Sequence, residues 1–300
     1  MDGVQDLIDR KIATFILTGS SARKLRRGHA ANLLPGRVAA FRLDPLTYQE
    51  YFEGSLEDRL LNGSLPSIVL TKNTDYQREE LHSYVSTYLE EEIRAEAIVR
   101  NLGAFGKFLQ LAAGESGRII NFSKLSQEVG VSVPTVSSYY EILEDCLIVE
   151  RIEPITKSKK RKKLTRSQKY LFFDLGVRRE AAREGTELPR ETMAHLFEQW
   201  IGLELVRIAR LRDSHARIRF WRDPSGPEVD WVVERNGVFV PVEVKWTDIP
   251  SLADAKNVEV FLREYETAKM GYVVCRATRS AKLSDRVTAI PWQEIEKVFK

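Results

Sequence analysis

The chain has 300 residues, 43% of them apolar and 30% charged, with a net charge of only +3. That length suggests about two domains of roughly 100–200 residues, and no apolar run approaches the ~20 residues of a membrane span. The start, MDGVQDLIDRK, has no apolar core of a secretory signal, and the two cysteines, Cys146 and Cys275, offer no zinc site and suit a reducing cytoplasm.

In chain order, KIATFILTGSSARKL (11–25) reads as a buried strand, 12–18, ending in a Gly-Ser-Ser turn. Its lack of alternation suits a parallel sheet covered on both faces. RVAAFRLDPLTYQEYF (37–52) reads as a short strand, a Pro turn and a helix start, 81–101 as a long amphipathic helix, and 104–117 as a second helix closed by glycine. Over 120–152, Ser123 is placed to cap a short helix ending at Gly130, and Ser132 to cap the next, with Pro134 in its first turn. Val136, Tyr140 and Leu143 form a helical stripe. Helix, glycine turn, helix and the strand LIVERI make a winged helix-turn-helix pattern. A strand YLFF returns after the basic run 156–169.

That run holds Lys157, Lys159, Lys160, Arg161, Lys162, Lys163, Arg166 and Lys169 and no acid. At a wing tip it suits sequence-independent contact with DNA phosphates; a solvated basic loop is the alternative. The second helix of the pair carries Thr135, Ser137, Ser138, Glu141, Glu144 and Asp145, acids that oppose a phosphate backbone. Packing on protein and docking in a major groove both remain open for it.

After a polar linker (179–191) comes a periodic helix (194–210), a strand (217–222), a hairpin, a helix (252–265), strands 271–275 and 287–292, and a last helix. The hairpin is EVDWVVERNGVFVPVEVKW, turning at Asn236-Gly237. That register sets Val233 opposite Val240, Trp231 opposite Val242 and Val229 opposite Val244 on one apolar face. It also sets Asp230 opposite Glu243, a destabilising juxtaposition, with Lys245 pointing the same way as Glu243. A divalent ion shared by Asp230 and Glu243 turns that repulsion into coordination, and few protein oxygens completed by water and phosphate suit Mg²⁺. Lys245 would neutralise phosphate or orient a nucleophile, and Glu198 on the preceding helix would add a carboxylate. A surface face with a Glu228–Lys245 pair and a tolerated acid pair is the plain alternative.

GPEVDWVV…VPVEVKW resembles the PD-(D/E)xK nuclease core over about residues 190–290, particularly its RecB-like and Holliday-junction-resolvase-like branches. The resemblance implies Asp230, Glu243 and Lys245 as motif residues, Glu198 in FEQW as the helix acid, and Mg²⁺ or Mn²⁺ held by Asp230 and Glu243. The helix 252–265 lacks the glutamine that many RecB-like nucleases carry.

FILTGSSARKLRR…LLPGRV…FRLDPLTYQEY, YVSTYLEEEI, FLQLAA…INFSKLSQEVGVSVPTVSSYYEILED and YLFFDLGV resemble, in series, the AAA-type ATPases of the DUF4143 group. That resemblance implies an α/β multi-domain chain: a partial AAA-type segment (1–75), a helical linker or lid (76–118), a winged helix-turn-helix (119–178) and a restriction-endonuclease-like α/β domain (190–300). It places Ser20 or Ser21 at the sensor-1 position and Asp2 at the Mg²⁺-binding acid of Walker B, with Gly3 where the water-activating glutamate stands. A P-loop is missing; GAFGKF (103–108) has the wrong spacing and no hydroxyl residue. ATP binding is therefore expected of full-length relatives, not ATP hydrolysis by this chain alone. The front strand is expected to be poorly protected or to be completed by self-association or a partner chain. The overall expectation is a cytoplasmic DNA-associated protein with a metal-dependent nuclease-like domain. The alternatives are a non-catalytic DNA- or protein-binding module and an inactive remnant.

Overall fold

The computed structural model describes residues 2–16, 18, 39, 41–89, 101–156, 164–165, 167–213, 215–224 and 226–300. Helix α1 (Asp2–Asp9) closes where Lys11 takes a φ of 55°. The strand expected over 12–18 does not form among the described residues. Residues 12–16 are irregular and exposed, Ile16 by 90%. A strand must hand its N–H and C=O groups to a neighbour, and among the described residues no strand of the sheet pairs with this run. The strand expected early in 37–52 is likewise absent among the described residues; Phe41 and Leu43 are exposed in irregular chain. The helix start expected there is displaced to α2 (Leu56–Asn62), where Ser55 and Asp58 form a capping box.

Helices α3 (Pro66–Val69) and α4 (Thr74–Ser83) come next, and α4 runs into a π-helical turn, Tyr84–Leu89. The long helix expected from 81 thus begins earlier and changes winding, and its second half lies outside the described residues. After α5 (Leu102–Gly114) come α6 (Phe122–Val129) and α7 (Val133–Asp145). Gly130, at φ 84°, closes α6 in the left-handed region. The cap of α6 is Asn121 rather than Ser123, because the helix starts early enough for Phe122 to pack on Tyr140. Ser132 caps α7, and Val136, Tyr140 and Leu143 are buried, as the stripe requires. Strands β1 (Val149–Pro154) and β2 (Lys169–Phe172) then pair antiparallel.

Helix α8 (Leu175–Ala181), capped by Asp174, leads to the 23-residue α9 (Arg190–Arg212). Strands β3 (Arg217–Arg222), β4 (Glu228–Arg235) and β5 (Val238–Val244) form a meander. A 3-10 turn (Leu252–Ala255) enters α10 (Lys256–Glu264), and β6 (Gly271–Cys275), β7 (Ala281–Lys282), β8 (Val287–Pro291) and a 3-10 tail (Trp292–Phe299) finish the chain. Together these strands build one mixed eight-stranded sheet, β2-β1-β3-β4-β5-β6-β8-β7. The β1–β2 hairpin joins it through parallel pairing of Glu153 and Pro154 with Arg219 and Phe220. The sheet therefore runs across the polar linker.

Helix α9 and the 3-10 tail cover one face, with Trp200, Trp231, Val233, Val242, Val244 and Trp292 in one cluster. Helix α10 covers the other, with Trp221, Val229, Val232, Phe261 and Val273. Gly202 lets α9 approach; a Cβ there would stand 2.5 Å from the Trp231 ring.

The hairpin turns at Asn236 (φ 51°) and Gly237 (φ 79°), as a two-residue turn of the primed kind demands. Its ladder runs in the register read from the sequence, from Arg235–Val238 to Trp231–Val242, and stops there. Between β3 and β4 the register slips: Arg219 faces Val232 while Trp221 faces Val229, so β4 carries one extra residue. This bulge moves Val229 to the α10 face, correcting its expected place opposite Val244 beside Trp231. It falls beside Asp230, and bulges characteristically re-aim side chains in this way.

Candidate active site

Three acids and two lysines converge where β4 and β5 part. Asp230 does not face Glu243 as a ladder pair. Its Oδ2 instead accepts the Val244 backbone N–H at 2.8 Å, replacing a ladder hydrogen bond at the fork. Glu243 is buried; its Oε1 accepts from Lys245 Nζ at 2.7 Å, and its Oε2 is buried with no hydrogen-bond partner. Lys245 keeps 36% of its side chain exposed.

Glu198 is carried to the same place by α9. Lys169 Nζ lies 3.0 Å from its Oε1, and His195 Nδ1 lies 3.9 Å from its Oε2. His195 Nε2 donates to the Ser116 carbonyl at 3.0 Å, which orients the ring. The Trp231 indole donates to the Glu198 carbonyl oxygen at 3.1 Å, tying α9 to β4. Lys169 enters from β2, buried, 4.9 Å from the Trp231 ring centroid and 5.1 Å from that of Phe220.

The charges resolve into two ion pairs and one acid left over. Burial raises the Glu198 carboxyl, but Lys169 and His195 outweigh it and hold the group well below the usual carboxylate range. Burial raises Glu243, partly offset by Lys245. Asp230 forms no ion pair among the described residues, and burial together with Glu243 and Glu198 pushes its carboxyl well above the usual range. Both lysines sit above the ordinary ammonium value, because the acids outweigh the burial that would lower them.

The stability consequence has a definite sign. Because Asp230 is raised on folding, its contribution is fully present below its unfolded value near about pH 4 and is lost as pH rises through the folded one. Without divalent ions, Asp230→Asn should therefore stabilise the protein, increasingly so from acid toward neutral pH, since an amide oxygen can still accept from Val244. Urea midpoints across that range in EDTA measure it; a wild type more stable than the variant at neutral pH would contradict it.

Among the described residues, no group of three or more His, Cys, Asp or Glu side chains is arranged to hold a metal ion. Among the described residues, Asp230 and Glu243 each keep one carboxylate oxygen clear of the Val244 N–H and the Lys245 ammonium, a number that suits an ion completing its shell with water and phosphate. The sequence had gathered Asp230, Glu243, Lys245 and Glu198, and the fold brings all four together. Lys169 is placed differently from its expected phosphate-contacting position: it is an interior strand residue bonded to Glu198. Lys157, Lys159, Lys160, Arg161, Lys162, Lys163 and Arg166 lie outside the described residues, as do Ser20 and Ser21, while Asp2 opens α1. His195 was not anticipated, although its place one helical turn before Glu198 was a signal.

Residues 193–295 match DUF4143, a domain of unknown function. The DUF4143 match contains Glu198, Asp230, Glu243 and Lys245. Lys169 falls in a second match, of residues 53–188 to the domain of unknown function DUF8612. Uncharacterized proteins of Mycobacterium tuberculosis (Rv2008c) and Mycobacterium bovis (Mb2031c) are each 25% identical over 292 residues, covering 96% of this chain and 65% of their own length. An uncharacterized protein of Haemophilus influenzae is 24% identical over 229 residues, covering 69% of this chain and 55% of its own. The chain thus spans a little under two thirds of the length of the first two relatives.

Proposed function

We propose that the chain is a metal-dependent phosphodiester hydrolase acting on DNA, with a PD-(D/E)xK-like site made by Asp230, Glu243 and Lys245. The observation that supports this best is the excess acid: among the described residues Asp230 forms no ion pair, Lys169 and Lys245 only partly offset the burial and the acids that raise it, and beside it Glu243 Oε2 is buried without a partner. A buried polar atom left unpaired costs about 1–3 kcal/mol, so a fold that keeps one beside an excess carboxylate has a use for a cation there. Asp230 and Glu243 would hold Mg²⁺ or Mn²⁺, which when bound supplies Lewis-acid polarisation and activates water. Lys245, whose side chain is partly exposed, would present its ammonium to a phosphate oxygen. The Val244 N–H fixes the Asp230 carboxyl, and the Trp231–Glu198 hydrogen bond fixes the helix behind it.

DNA contact is assigned to the α6–α7 pair and the β1–β2 hairpin, read as a winged helix-turn-helix, with the basic run 157–166 gripping phosphates. The front segment is read as AAA-derived. The test is incubation of supercoiled plasmid and branched DNA with the protein and Mg²⁺ or Mn²⁺. Cutting that stops in EDTA is expected; intact DNA under conditions where the protein demonstrably holds the ion would defeat the assignment.

A second reading, a non-catalytic DNA- or protein-binding module, draws on the Glu198–Lys169 pair, which takes one acid out of the site. It predicts DNA retention that weakens steeply with salt and no cleavage with either metal.

A further inference from the structure

Lys169 is the one site residue that the DUF4143 match does not contain. It is fixed on three sides. Its backbone pairs with Ile152 and bridges to Ile119; its ammonium lies between the Glu198 carboxylate, at 3.0 Å, and the Trp231 and Phe220 rings. A lysine loses much side-chain freedom on such burial and keeps its charge only if paired. Here the charge is kept, and it is directed at the acid that α9 delivers to the fork.

We infer that Lys169 is a positioning residue acting as a tethered cation. By holding Glu198 in an ion pair, it excludes that carboxylate from metal coordination and limits the site to the ion shared by Asp230 and Glu243. The inference rests on the metal-binding reading of the site. It makes the acid cluster a joint product of the two matched regions, with the β1–β2 hairpin setting how many divalent ions the fork accepts. A site with Glu198 released would offer three carboxylates, enough for tighter binding or a second ion; with Lys169 in place it offers two.

The test is Mn²⁺ titration of the full chain by calorimetry, with Lys169→Met, which keeps the apolar stem against Trp231 and Phe220 and removes the charge. The wild type is expected to take one ion. Lys169→Met is expected to take a second, or to bind about tenfold more tightly, the equivalent of one unit charge removed nearby. The double variant Lys169→Met with Glu198→Gln is expected to return to the wild-type count and affinity, a reversal that a purely structural role for Lys169 would not give. Lys169→Leu, which has neither a charge nor a donor for Glu198, is the second variant should the methionine fail to fold, and the same gain is expected of it. A folded, uncharged variant that binds Mn²⁺ as the wild type does overturns the inference while leaving the metal site standing. Absence of Mn²⁺ binding in the wild type and every variant overturns the metal site and the inference together.

Discussion

Lys245→Ala is expected to lower metal-dependent DNA cleavage by about 10²–10⁴-fold, the range associated with losing a positioned proton-transferring or charge-stabilising group. The side chain is partly exposed and, among the described residues, bonds only Glu243, so the fold should survive. The loss has two components that measurement separates. Without Lys245, Glu243 has no hydrogen-bonding side chain among the described residues on either carboxylate oxygen, and burial, already the largest influence on it, is left less opposed. A divalent ion becomes its only counter-charge, so ion affinity should hold or rise while turnover falls. A parallel fall in both would mean that Lys245 serves only to keep Glu243 ionised. Unchanged cleavage by a folded Lys245→Ala would remove Lys245 from the chemistry.

Arg207→Ala is expected to cost about 3–5 kcal/mol of stability, the typical penalty for stripping one partner from a buried ion pair. Arg207 and Glu204 keep 4% and 1% of their side chains exposed. Arg207 donates to Glu204 at 3.3 Å, to the Leu46 carbonyl at 3.3 Å and to the Phe173 carbonyl at 2.8 Å, while Glu204 accepts the Tyr48 N–H at 2.9 Å. Three stretches of chain thus meet on one charge pair: the strap at 46–48, the end of β2 and helix α9. Removing the arginine leaves a carboxylate, already raised by burial, facing the interior with the Tyr48 N–H and the more distant charge of Arg59 to offset it. The double variant Arg207→Met with Glu204→Gln should recover part of the loss. Chemical denaturation measures both; a cost under about 1 kcal/mol for the single variant would class the pair with surface bridges.

The central hairpin was legible because its signals were local. Asn236-Gly237 fixed the turn, alternation fixed the register, and both recur in the ladder. The strands read over 217–222 and 271–275 also fall at those residues. What failed was set by distant neighbours. The apolar run 12–18 has strand character, but in the described structure it has no pairing partner, so propensity goes unused. The bulge at Asp230 depends on how β3 meets β4, which no local pattern encodes. Glu204 and Arg207 stand three apart on a helix, the spacing of an ordinary surface pair, and only tertiary packing buries them. Lys169 read as the end of a basic loop. The better clue was the apolar run YLFF immediately after it, which makes Lys169 the first residue of a strand. The α6–α7 spacing was legible from Gly130 and Ser132, and the cap one helix earlier moved only because Phe122 found Tyr140 to pack against.

The site asks why a fold would seat Asp230 beside Glu243 and neutralise only one of them. Mn²⁺ calorimetry on the full chain, compared with Asp230→Asn and Glu243→Gln, puts that question most directly. Saturable binding by the wild type, weakened about tenfold or more in each variant, is the result this account predicts. A wild type that takes no Mn²⁺, or binding that both variants leave unchanged, would contradict it and leave the excess acid serving only the Val244 amide.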